Sequence, residues 1–133
     1  MAVDSLQIDS LLTILDQTEI DSNKIQIYIT IADKYALRHY NYKNGGIALE
    51  YLEKGIKLAR EANSQKKLCE LIIHQGSIYQ RRGEHDIAYQ KNIEVLELAT
   101  AINNIYYQHR AYNYLGILHG TLGEMSKALN NFE

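Results

Sequence analysis

The sequence predicts an all-α protein of stacked antiparallel helix pairs, and three observations carry that prediction. Proline is absent while Leu, Ile, Ala, Glu, Lys and Gln are abundant, a composition that favours helix. Apolar and small residues recur at i, i+3, i+4 and i+7, as in Tyr28, Ile31, Ala32 and Tyr35, so they share one helical face. The chain also repeats itself. LIIHQGSIYQRRGEHDIAYQ (71–90), shifted by 40 residues, lands on AYNYLGILHGTLGEMSKALN (111–130), aligning Gly76 with Gly116, Gly83 with Gly123, Glu84 with Glu124 and Ala88 with Ala128.

Taken in order, the first element is an N-terminal helix within residues 1–20. Asp4 and Gln7 have capping-box spacing, and Leu6, Leu11, Leu12 and Leu15 supply an apolar stripe expected to cover the first repeat. Three helical hairpins follow, at about 21–62, 63–102 and 103–133, the last truncated. In the first helix of each hairpin the packing slots hold Tyr28, Ile31, Ala32 and Tyr35, then Ile72, Gln75, Gly76 and Tyr79, then Tyr112, Leu115, Gly116 and His119. A Gly or Ala in the third slot lets the partner helix approach closely.

The second helices repeat Ala48, Leu52 and Ile56, then Ala88, Asn92 and Leu96, then Ala128 and Phe132. Asn92 on a packing face needs a hydrogen-bond partner. Turns are expected at Gly45-Gly46, Gly83 and Gly123, where a helix end favours a residue tolerant of positive φ. Asn63-Ser64 and Asn103-Asn104 are expected to separate the hairpins and cap the helices that follow. The third hairpin's second helix stops short, which predicts a piece of a longer array with an uncapped C-terminal end able to support a homo-oligomer.

Composition excludes several functions. A chain of 133 residues with 46% hydrophobic and 23% charged residues is expected to be one folded domain or a fragment of one. The net charge of -2 provides no basic face for nucleic acid or an anionic membrane. No apolar window is long enough to span a bilayer, and MAVDSLQIDSLL lacks the basic and apolar regions of a signal peptide. A soluble protein is expected, cytoplasmic by default and periplasmic if a leader has been removed, and the single Cys69, which can form no internal disulfide, does not assign the compartment.

Catalytic and metal-binding arrangements are equally absent. His74 and His85 have no Cys or second His at ligand spacing, and their repeat counterparts are Tyr114 and Met125. Cys69 and His74 are five residues apart and diverge by about 140° around a helix, so they cannot form a dyad. Ser77 lacks a nucleophile elbow, and Gly76 and Gly83 lack the preceding strand of a phosphate loop. Neither an enzyme nor a cofactor is expected. Eleven Tyr beside one Phe form an aromatic set suited to packing with a hydrogen-bonding tip, with Tyr106 and Tyr107 expected to be partly exposed.

The run G76-S-I-Y79-Q-R-R-G83-E-H-D-I-A88 resembles the tetratricopeptide repeat in a version of about 40 residues, over roughly residues 25–133. The resemblance implies a right-handed superhelical solenoid that binds a protein or peptide in a concave groove. Carried onto this chain, the family's groove positions are Gln26, Ile29, Asp33 and Leu37 in the first unit. They are Glu70, Ile73, Ser77 and Arg81 in the second, and Arg110, Asn113, Ile117 and Thr121 in the third. A clamp for a C-terminal carboxylate would use positions held here by Ile29, Asp33, His74, Arg110 and Tyr114; only Arg110 fits, and Asp33 would repel the ligand. The opening IDSLLTILDQTEIDSNKIQIYITIADKYA also resembles the front part of bacterial tetratricopeptide sensor and regulator proteins. That likeness implies a sensory segment ahead of a histidine kinase, cyclase or DNA-binding module.

Overall fold

The structure, a computed structural model, describes residues 4–19, 21–36 and 41–130, with side chains described as far as Glu124. Among these residues the chain is all-helical: α1 (Ser5–Gln17), α2 (Asp21–Ala36), α3 (Tyr42–Glu61), α4 (Gln65–Arg81), α5 (His85–Ala101) and α6 (Ile105–Asn130). From α2 onward each helix packs against the next, and α2 also touches α4 while α4 touches α6. The result is a helical-repeat-like arrangement in which α4 is central. Leu68, Cys69, Leu71, Ile72, Ile73, Gln75, Gly76 and Ile78 of that one helix are buried. Around them gather Ile25, Ala32, Leu52, Ile56, Val95, Ala99, Tyr107 and Ala111 in a single core.

Three helices end in one way. Asn63 (φ 54°), Gly83 (φ 76°) and Asn103 (φ 55°) occupy the left-handed region 20 residues apart, after α3, α4 and α5. Each is followed by an N–H that reaches back six residues inclusive: Ser64 to Ala59 O at 2.8 Å, Glu84 to Tyr79 O at 2.9 Å and Asn104 to Ala99 O at 2.8 Å. These are Schellman closures, which satisfy carbonyls orphaned at a helix end. Asn104 then caps α6 by accepting from Tyr107 N at 3.0 Å, whereas Ser64 makes no side-chain cap bond to α4.

Two expected turns are corrected. Gly45 and Gly46 lie inside α3, whose start is set by Asn41 accepting from Asn44 N at 2.8 Å. Here the glycines serve close packing: Gly45 is buried, and a Cβ on Gly46 would stand 3.1 Å from the Arg82 guanidinium. Gly123 is likewise helical, and α6 runs unbroken to Asn130, so residues 103–133 hold one long helix through 130 instead of a hairpin. A short return arm offers little burial, and continuing the helix through one glycine costs only about 1 kcal/mol relative to alanine.

The third unit's packing slots open up as a consequence. Leu115 is buried, but Tyr112 is 62% exposed, and Gly116 and His119 are exposed too. Tyr106 is exposed as expected, while Tyr107 is buried in the core. The N-terminal stripe also differs, since Leu6 points to solvent and Ile8 is the buried residue of α1. Asp4 Oδ1 accepts from Leu6 N at 3.0 Å and Gln7 N at 3.3 Å. Gln7 Oε1 does not close a capping box; it accepts from Lys34 Nζ at 2.8 Å and ties α1 to α2. Ala128 and Phe132, expected on a second helix, fall outside the described side chains.

Candidate functional site

The expected groove residues that the structure describes lie on α2, α4 and α6, and they fall into a buried pair and two polar sets. Ile29 and Ile73 are 2% and 1% exposed and belong to the core, which corrects their assignment to a binding surface. The physical reason is close helix approach: α2 and α4 touch, so inward-facing branched residues on both are enclosed. Leu37 lies outside the described residues. The remaining residues fall into two polar sets.

The first set spans α2 and α4. Lys67 Nζ donates to Gln26 Oε1 at 3.2 Å and pairs with Glu70 Oε2 at 3.3 Å, so Lys67 bridges two of the expected residues. Seven residues further along each helix, about two turns, His74 Nδ1 stands 3.1 Å from Asp33 Oδ1. Arg81 NH1 donates to the Ala36 carbonyl at the end of α2. Between these links Asp33, His74, Ser77 and Arg81 rim a recess of about 20 Å³ floored by Ala32, Leu52 and Ile78, space for about one water. Asp33 is therefore engaged by His74, and His74, read from sequence as an ordinary helix residue, is a cross-helix contact.

The second set is on α6. Arg110 is half-buried between two tyrosines four residues away on either side, NH1 donating to Tyr106 Oη at 3.3 Å and NH2 to Tyr114 Oη at 3.4 Å. The guanidinium also lies 5.7 Å and 5.9 Å from the two ring centroids. Burial opposes its charge, but the Tyr114 and Tyr106 hydroxyls outweigh that effect and raise the Arg110 pKa further above its ordinary value. Asn113 and Ile117 are exposed, and Thr121 Oγ1 is turned inward to the Ile117 carbonyl at 3.0 Å.

Sequence reasoning missed Lys67, Tyr106 and Tyr114 as members of these sets. The available signals were spacing ones: Lys67 three residues before Glu70, and Tyr106 and Tyr114 each four residues from Arg110. Among the described residues no group of His, Cys, Asp and Glu is disposed to hold a metal ion, and no helix is long and apolar enough to cross a membrane. What the surface can offer chemically is a fixed cation with aromatic flanks, three polar links between α2 and α4, and a small recess. No family model matches this chain, and no curated protein matches it.

Proposed function

We propose that the protein is a non-enzymatic interaction module of the tetratricopeptide type, a solenoid whose face formed by α2, α4 and α6 receives a protein or peptide segment. The observation that carries this reading is the packing order. Alternate helices α2, α4 and α6 touch in succession while α3 and α5 lie behind them, the pattern expected when hairpins stack. The helix ends repeated at residues 63, 83 and 103 support the same periodic construction. On that face the exposed or half-exposed candidates are Gln26, Asp33, Glu70, Ser77, Arg81, Arg110, Asn113, Ile117 and Thr121. Most are polar, so they suit an extended segment held through side-chain hydrogen bonds and the Arg110 charge.

The test is capture of a random peptide library by the 133-residue chain, comparing the natural sequence with Arg110→Glu, Ser77→Arg and, on an exposed position of α5, Glu97→Arg. The expected result is selective capture that Arg110→Glu and Ser77→Arg abolish or redirect and Glu97→Arg leaves alone. Capture unchanged by both groove variants, with circular dichroism showing them folded, would overturn the assignment of the face. Absence of capture by the natural chain would overturn the function. Ile73→Asp is unsuitable, because it would bury a charge in the core.

A further inference from the structure

Arg110 holds a positive charge that no described carboxylate offsets. Arg60 and Arg82 each stand 3.9 Å from a carboxylate, of Glu94 and Glu84, whereas among the described residues Arg110 has no such partner. The acids expected on the same face are already engaged, Glu70 by Lys67 at 3.3 Å and Asp33 by His74 at 3.1 Å. Arg110 contacts the phenol oxygens of Tyr106 and Tyr114, which orient the guanidinium but carry no full charge to neutralise it. Those two bonds use two of the five guanidinium N–H donors and leave three, and each phenol that accepts from Arg110 keeps its own O–H to donate. The spacing 106, 110, 114 puts the three side chains on one side of α6. Tyr114 packs against the core, and Tyr106 sits edge-on against the buried ring of Tyr107 with centroids 5.0 Å apart, so the guanidinium stands between two anchored rings. Tyr106 is itself 60% exposed, which opens the cluster to solvent.

We infer that Tyr106, Arg110 and Tyr114 form a receptor for a phosphorylated side chain on the peptide segment received by the groove, an inference that rests on the groove reading above. A phosphomonoester brings three terminal oxygens and close to two negative charges, enough to accept from the guanidinium fork and from a phenol on either side of it. A carboxylate, with two oxygens and one charge, fills fewer of these donors. The device also differs from a clamp for a C-terminal carboxylate, most of whose positions are held here by Ile29, Asp33 and His74, and Tyr106 lies outside that set. Ile117, seven residues after Arg110 and 53% exposed, offers the same segment an apolar contact about two turns away.

Capture from three synthetic peptide libraries tests the inference: degenerate sequences with a central phosphoserine or phosphotyrosine, with unmodified Ser or Tyr, and with Glu. The 133-residue chain is expected to enrich phosphorylated peptides, and individual binders to weaken by about tenfold or more when the phosphate is removed. Arg110→Lys keeps the charge but loses the fork, and Tyr106→Phe combined with Tyr114→Phe keeps the rings but loses the hydroxyls. Each is expected to cut the preference for phosphate by about fivefold or more with helical circular dichroism kept. Phenyl phosphate is expected to compete for the site, and benzoate to compete about tenfold less well. Equal capture of phosphorylated and unmodified peptides, with Ser77→Arg still blocking both, overturns the inference and leaves the groove reading in place. A preference for phosphate that survives both sets of variants also overturns it, as do Glu peptides and benzoate that serve as well as their phosphorylated counterparts. Capture of no peptide from any library overturns the groove and the inference together.

Discussion

Glycines in this chain do opposite jobs at different positions, and their surroundings decide which. At Gly55 a Cβ would stand 2.7 Å from Leu71 Cδ2 and 3.6 Å from Tyr28 Cβ, so α3 reaches α4 only because that side chain is missing. Gly55→Ala should therefore lose about 1 to 3 kcal/mol through overpacking, although alanine is ordinarily the better helix former. Gly83 has open space but φ 76°, and Gly83→Ala should cost about 1 to 2 kcal/mol through backbone strain alone. Urea unfolding distinguishes the two from the reverse expectation, a gain at both sites. Cys69 shows burial acting on a titratable group. It is 0% exposed, and burial pushes its thiol up from an ordinary value of 9.0 to about 11. Between those pH values the unfolded chain releases this proton while the folded chain keeps it, so the thiol lowers stability as pH rises from about 9 to 11. Comparing unfolding of the natural chain and Cys69→Ala at pH 8 and 10.5 should show a shallower decline in the variant. Parallel declines would remove Cys69 from the account.

Among the elements, α4 and α1 mark the extremes of local stability. The first buries eight residues from Leu68 to Ile78 and is packed on by neighbours along both sides, while the second buries only Ile8 and leaves Leu6 and Ile14 largely in solvent. Hydrogen exchange should thus rank them clearly, with α1 amides exchanging through local opening and α4 amides only near global unfolding. Comparable protection in both helices would mean that α1 is held by more than Ile8 and the Gln7–Lys34 bond. The helix ends show how much punctuation the chain carries. Asn63, Gly83 and Asn103 stop helices because each tolerates positive φ and each follows a complete amphipathic segment. Gly123 has the same residue type and register as Gly83, but the helix passes through it. The α3–α4 connection is reinforced by Arg82, which stacks 3.9 Å from the centroid of Tyr42 and donates to the Tyr42 carbonyl at 2.9 Å. That contact fastens the start of α3, and nothing in the spacing of Arg82 and Tyr42, 40 residues apart, announced it.

For the whole molecule, the peptide-capture experiments address the face that α2, α4 and α6 form together. The sequence by itself determined that the chain is helical, where α4 and α5 lie, and which residues such as Ala32, Ala48, Gly76 and Ala88 sit inside. Those features follow from local rules, helical periodicity and left-handed helix ends, which are written in residues near one another. Tertiary structure alone decided that Ile29 and Ile73 are core, that Asp33 meets His74, that Lys67 joins Gln26 to Glu70 and that Gly45 and Gly46 are packing glycines. Each of those depends on a helix distant in sequence, whose distance and rotation no local pattern encodes. Gly123 makes the distinction plainest: the residue permits either a turn or a continued helix, and the choice rests with whatever surface is present for the following segment to pack on.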